Sequence, residues 1–136
     1  MKILVVVDMQ NDFITGSLGT EEAVKIVDRV AEKMENFQGK IICTRDTHFE
    51  NYLDTSEGKK LPVKHCIRGT EGHRLCPQVA EAAEARGARI LDKETFGSKD
   101  LPKIVEELAE GTPESVELVG LCLSLIHISE PTRHAQ

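Results

Sequence analysis

Residues 3–7, Ile-Leu-Val-Val-Val, form an unbroken apolar run, four of the five β-branched, that ends at once in Asp8. A run this short and this apolar reads as a strand buried on both faces. Over residues 21–36 the pattern changes to a helical period. Ala23, Val27, Val30 and Met34 share one face, Thr20 stands as the N-cap, acids occupy the first turn, and Gly39 follows as a stop. A second strand is predicted over 40–44, running into Arg45-Asp46-Thr47-His48, and residues 49–76 then show no clear period. Pro77 opens an Ala-rich helix over 78–86 closed by Gly87, and a third strand over 88–91 delivers Asp92 and Lys93. Ser98 or Asp100 caps a helix carrying Leu101, Ile104, Val105 and Leu108, ended by Gly111 and Pro113; a fourth strand over 115–119 leads into Gly120-Leu121-Cys122. Strands alternate with helices and no Asn-Gly hairpin signal intervenes. The expected fold is therefore α/β, with right-handed crossovers and a parallel sheet.

That alternation bears on chemistry, because a parallel sheet gathers all its carboxyl ends on one edge, where α/β domains hold their clefts. Each predicted strand ends in a capable group: Asp8, then Asp46 and His48, then Lys93, then Cys122. A carboxylate and an ammonium are what a cysteine nucleophile needs, one to take the thiol proton and one to favour the thiolate. Taken singly, Asp8 reads as a turn cap and Lys93 as a solvated lysine. Asp46 and His48, one residue apart, join His65 as a donor set for Zn²⁺, Fe²⁺ or Mn²⁺ with positions left open. A competing structural zinc site would use His65, Cys66, His73 and Cys76, with looser spacing. An irregular stretch as long as 49–76 inside a compact domain points to a functional loop.

Composition narrows the classes. A chain of 136 residues is one domain, and a net charge of −6 without a basic stripe argues against nucleic acid or a membrane surface as partner. The amino-terminal apolar run is too short for a signal peptide, so a cytoplasmic protein is expected. Four cysteines, Cys43, Cys66, Cys76 and Cys122, are too few for a disulfide scaffold and are expected to be thiols.

Four segments together carry a resemblance: Val-Asp-Met-Gln-Asn-Asp-Phe at 7–13, Thr-Arg-Asp-Thr-His at 44–48, His-Cys-Ile-Arg-Gly-Thr at 65–70 and Lys-Glu-Thr-Phe-Gly-Ser at 93–98. In order and spacing they resemble the isochorismatase-like cysteine hydrolases, and within them the nicotinamidases. The resemblance implies a three-layer αβα domain of Rossmann-related type, with a parallel sheet incomplete at its carboxyl end. It implies a catalytic Asp, Lys and Cys, with Asp8 as general base and Lys93 as its cationic partner. A divalent metal, zinc first and iron or manganese as alternatives, would sit on Asp46, His48 and His65 and orient a pyridine ring, with Gln10 and Phe13 lining the pocket. The implied reaction is thioester-mediated hydrolysis of a small amide, nicotinamide to nicotinate and ammonia, in a homo-oligomer.

Two departures qualify it. Thr47 stands where nicotinamidases usually carry Trp, which leaves the substrate open. Counted from Gly120, the reactive cysteine falls at position 126, where this chain has Ile126; Cys122 matches the oxyanion-hole position, reached in the family through a cis peptide after Leu121. Residues 123–133 read as an in-frame translation of a sequencing-library adapter. The expectation is a partial hydrolase domain over 1–122 followed by a non-native tail over 123–136, an inactive fragment with its fourth strand bare at the sheet edge. If the tail is native, a non-catalytic binding subunit of the same fold fits instead. A response-regulator receiver would need an acidic pair after the first strand, a phosphoacceptor Asp after the third and a lysine after the fifth; here the first strand ends in a single Asp8 and Lys93 follows the third.

Overall fold

The computed structural model describes residues 1–94 and 100–121, and the backbone of 134–135. Strand β1 (Lys2–Val7) pairs in parallel with β2 (Lys40–Asp46) on one side and β4 (Ser115–Gly120) on the other. Strand β3 (Arg89–Lys93) lies outside β2, and the two-residue β5 (His134–Ala135) lies outside β4, giving the order β3-β2-β1-β4-β5. Every pairing is parallel. The edge of β4, expected to be bare, is thus paired at Glu117 and Leu118.

The alternation along β1 builds two cores. Leu4 and Val6 pack with Val27, Val30 and Met34 of helix α2 (Glu21–Asn36) and with Val79, Ala82 and Ala83 of helix α4 (Pro77–Arg86). Ile3, Val5 and Val7 pack on the opposite face against Leu101, Ile104 and Val105 of helix α5 (Leu101–Ala109). Helices therefore cover both faces of the sheet, an αβα arrangement, and residues 3–7 are fully buried because each has a partner layer. Among the described residues no helix is long and apolar enough to cross a membrane.

Several boundaries differ from the sequence reading. A short helix α1 (Asn11–Ile14) follows β1 directly, too brief to show a period. Strand β2 extends through Asp46, because Thr44 and Asp46 are buried there despite their polarity. Residues 49–76 are not featureless: they hold 3₁₀ turns at Tyr52–Asp54 and Glu71–His73 and helix α3 (Ser56–Lys60), whose N-cap Thr55 accepts from Gly58 N–H. As an edge strand, β3 is largely exposed, with Ile90 on the surface. Helix α2 stops at Phe37 in extended conformation, before Gly39.

The chain order turns back on itself between β1 and β4, since β2 and β3 were laid to one side before β4 joined the other. The crevice beyond the carboxyl ends at such a switch point is where open α/β sheets hold ligands. Asp8 stands at one wall of it and Gly120 at the other. Gly120 has φ 113°, and a Cβ there would collide with the Val7 carbonyl. Only glycine lets β4 leave the sheet this close to β1.

Candidate active site and metal centre

Strand register brings the charged residues together. Val7 pairs with Thr44 and Asp46 with Lys93, so the ends of three adjacent strands deliver Asp8, Asp46 and Lys93 to one place. The Lys93 Nζ lies 3.0 Å from Asp8 Oδ2 and 3.9 Å from Asp46 Oδ1, and all three side chains are almost completely buried. Asp8 adopts a left-handed φ of 51°, a conformation that costs a β-branched residue far more than it costs Asp. Thr44 holds it there: Asp8 N–H donates to the Thr44 carbonyl (3.1 Å), and the Thr44 hydroxyl donates to Asp8 Oδ1 (2.8 Å). Burial, together with the like charge of Asp46, raises the Asp8 carboxyl above its ordinary range against the pull of Lys93. A raised pKa makes a carboxylate a stronger base.

Asp46, His48 and His65 form the group whose donor atoms all lie within 4.8 Å of one another. His48 follows β2 by two residues, and its Nε2 sits 3.0 Å from Asp46 Oδ2; His65 Nε2 sits 3.5 Å from the same oxygen. The His65 Nδ1–H donates to the Val63 carbonyl at 2.7 Å. That bond leaves Nε2 facing a carboxylate oxygen, a pairing that is satisfied by a proton on the ring nitrogen or by a cation between the two. Asp46 Oδ1, meanwhile, is buried and has no hydrogen-bond partner among the described residues. Two buried carboxylates face one ammonium, and the balance falls to the His65 imidazole or to a bound cation. The donor set and the orphaned oxygen both fit a divalent ion.

Burial alone would raise the Asp46 carboxyl, but hydrogen bonds from His48 and His65 and the charge of Lys93 hold it well below the usual range. For His65, burial opposes the charged ring, and the Asp46 and Val63 hydrogen bonds with the nearby negative charge outweigh it, raising the imidazole. Aromatic rings enclose the pair: the Tyr52 ring centre lies 4.5 Å from that of His48, tilted, and 5.1 Å from that of His65, edge-on, and Phe13 lies 5.4 Å from His65. A cavity of about 220 Å³ opens beside His48, lined by Thr47, Phe49, Tyr52, Glu57 and Glu94 among others.

Gln10 is fully buried, and its amide is taken up by backbone. The Nε2 donates to the Asp46 and His73 carbonyls and Oε1 accepts from Asp46 N–H, each at 2.8 Å. It therefore braces the end of β2 against the loop at 71–73. Thr47 and His73 share a hydrogen bond of 2.9 Å, and burial with the neighbouring Arg45 lowers the His73 imidazole. Among the described residues His73, Cys66 and Cys76 do not assemble with His65 into a second metal group. Cys122, the bond from Leu121 to it, and Ile126 lie outside the described residues. Cys43 and Cys76 sit in the core beneath α2 and α4, where burial pushes the Cys43 thiol up to about 12 and raises that of Cys76. The sequence reading did not foresee Thr44 or the Val63 carbonyl. The signal for Thr44 was a hydroxyl at the end of an otherwise apolar strand.

Comparison with known proteins gives the family and the fold. Residues 2–125 match the isochorismatase domain. The nicotinamidase of Saccharomyces cerevisiae is 30% identical, over 68% of this chain and 56% of that protein, so the chain spans just over half the length of this curated relative. The solved structure of the yeast nicotinamidase superposes with a TM-score of 0.75 over 90% of this chain and 76% of that one; at 23% identity the likeness is one of fold. The pyrazinamidase of Pyrococcus horikoshii, solved in complex with zinc, superposes with a TM-score of 0.70 at 29% identity over 89% of this chain and 70% of that one.

Proposed function

The chain belongs to the isochorismatase family, and from that premise we propose that the whole protein hydrolyses a small amide through a cysteine thioester, nicotinamide to nicotinate and ammonia being the reaction its site suits best. The observation that carries this is the buried Asp8–Lys93 pair at the carboxyl edge of the sheet, 3.0 Å apart, beside a metal cradle. A base of raised pKa next to a fixed cation is equipped to move one proton twice. Asp8 takes the proton of a cysteine thiol, and the thiolate attacks the amide carbonyl. The carbon–nitrogen bond breaks as Asp8 returns the proton to the departing ammonia. A water, deprotonated by Asp8, then cleaves the thioester to the acid and the free thiol. Lys93 offsets the negative charge that collects during both attacks. By the family resemblance Cys122 stands at the oxyanion-hole position, where a backbone N–H stabilises the developing oxyanion.

Asp46, His48 and His65 would hold the divalent ion, zinc by analogy with the ion named for the pyrazinamidase, with iron and manganese as alternatives. Bound there, it would supply a Lewis-acidic anchor for a ring nitrogen of the substrate. Thr47 in place of the usual Trp keeps other small amides open as substrates. With Ile126 at the nucleophile's position, this 136-residue chain is expected to bind the amide and not to turn it over.

Ligand-observed NMR on the zinc-loaded chain tests both halves. Nicotinamide binding that disappears in His48→Ala, with no ammonia released, is the expected result. Hydrolysis abolished by Cys122→Ala would move the nucleophile to Cys122. Absence of nicotinamide binding, with another small amide bound, would reassign the substrate.

A further inference from the structure

Between the two histidines of the cradle stands a residue in a strained conformation. Cys66, next to His65, has a left-handed φ of 50°. Its carbonyl accepts the backbone N–H of His48 at 3.0 Å, and its own N–H donates to Asp12 Oδ2 at 2.8 Å. Cys66 therefore connects the backbones of two metal-facing residues, its carbonyl meeting His48 while Asp12 grips the N–H of the peptide it shares with His65. The neighbouring bonds point the same way: His48 pairs with Ile67 in a parallel bridge, and Arg68 N–H donates to the His48 carbonyl at 2.8 Å.

The loop on the far side of Cys66 leaves room for that grip. A Cβ at Gly72 would overlap the Asp12 carboxylate, so a glycine is required where the carboxylate reaches across. Asn11, beside Asp12 on α1, ties the same loop from its other end, donating from its side chain to the Glu71 carbonyl (2.8 Å) and from its backbone to the Arg74 carbonyl (2.9 Å). Short as it is, α1 behaves as a bracket whose middle prong is Asp12.

We propose that Asp12 is a positioning residue for the metal cradle, fixing through Cys66 the distance and angle between His48 and His65. This rests on the reading of Asp46, His48 and His65 as metal ligands. Partners of this kind hold a site by limiting the orientations its ligands sample, and losing one typically weakens metal binding by about ten- to a hundredfold.

Cobalt(II) is the probe, since its visible absorption reports ligand geometry as well as occupancy. Asp12→Ala is expected to weaken cobalt binding by about ten- to a hundredfold and to change the shape of the visible bands. Asp12→Asn, whose amide oxygen still accepts from Cys66 N–H, should restore affinity to within a few-fold of the parent. Gly72→Ala keeps both partners but displaces the carboxylate, and should reproduce Asp12→Ala; it also decides the matter if Asp12→Ala does not fold. A purely structural role would lower the melting temperature and leave cobalt affinity and spectrum unchanged. Folded Asp12→Ala or Gly72→Ala binding cobalt within twofold of the parent, while His65→Ala does not bind, overturns the proposal. Failure of the parent chain itself to take up cobalt removes the metal assignment and the proposal with it.

Discussion

Asp8 and Lys93 face each other across 3.0 Å, yet neutralising them should have opposite consequences. Burial raises the Asp8 carboxyl, which means that the fold tolerates its neutral form better than its charged one. Below its ordinary value of 3.8 the group is protonated whether the chain is folded or not. Above it, the unfolded chain releases the proton while the folded one keeps it, so stability is withdrawn as pH rises through the interval up to the folded value. Asp8→Asn in metal-free protein should therefore be neutral or stabilising at pH 7, and its advantage should vanish near pH 3. Lys93→Met instead leaves two carboxylates buried together, and should cost about 3–5 kcal/mol. Combining the two substitutions should recover part of that loss. Urea unfolding of the three variants at several pH values measures all of this. A strongly destabilised Asp8→Asn at pH 7 would show that the pair holds the fold together, and that its charges are not held for chemistry at the expense of stability.

Among the elements, the end of α2 shows how a helix is finished by a neighbour. It stops at Phe37 without a left-handed residue, and the guanidinium of Arg86, in the last turn of α4, donates to the carbonyls of Met34, Glu35 and Gly39. Arg86→Ala should cost about 2 kcal/mol, because it leaves carbonyls at the end of α2 without their charged donor. Arg86→Lys should recover only part, since a single ammonium does not span three acceptors as a planar fork does. Denaturant midpoints of both variants, with unchanged m-values, test this. From sequence alone Arg86 reads as a basic residue suited to its own helix end; its partners lie some 50 residues away in the chain. The same limit explains what else could not be read. Helix α2 and the four longer strands were legible because their periods are local. Asp8, Lys93, Asp46 and His48 were legible as a group because a parallel sheet collects strand ends, and His65, on a loop, was added by its donor chemistry and by the family resemblance. Thr44 gripping Asp8 across 36 residues and Asp12 gripping Cys66 across 54 belong to tertiary contacts with no local pattern. Helix α1 and the turns within 49–76 are each shorter than the window in which a period shows.

At the scale of the molecule, the cradle is where distant parts of the chain are joined. Asp46 closes β2, an interior strand of the sheet, whereas His65 arrives from a loop held by side-chain contacts to α1 and by the backbone of His48. An ion bound by both would couple loop to sheet, and because the unfolded chain has no such site, its binding free energy adds to stability. At a hundredfold excess over the dissociation constant this amounts to about 2.7 kcal/mol, which for a chain of this length raises the melting temperature by roughly 10 °C. Melts in EDTA and in zinc should show that difference for the parent chain. They should show little of it for His65→Ala, in which two ligands remain on one strand end and no metal bond reaches the loop. A zinc-induced rise as large in His65→Ala as in the parent would place the ion elsewhere. It would also detach the carboxyl edge of the sheet from metal chemistry altogether, leaving Asp8 and Lys93 to stand as the site by themselves.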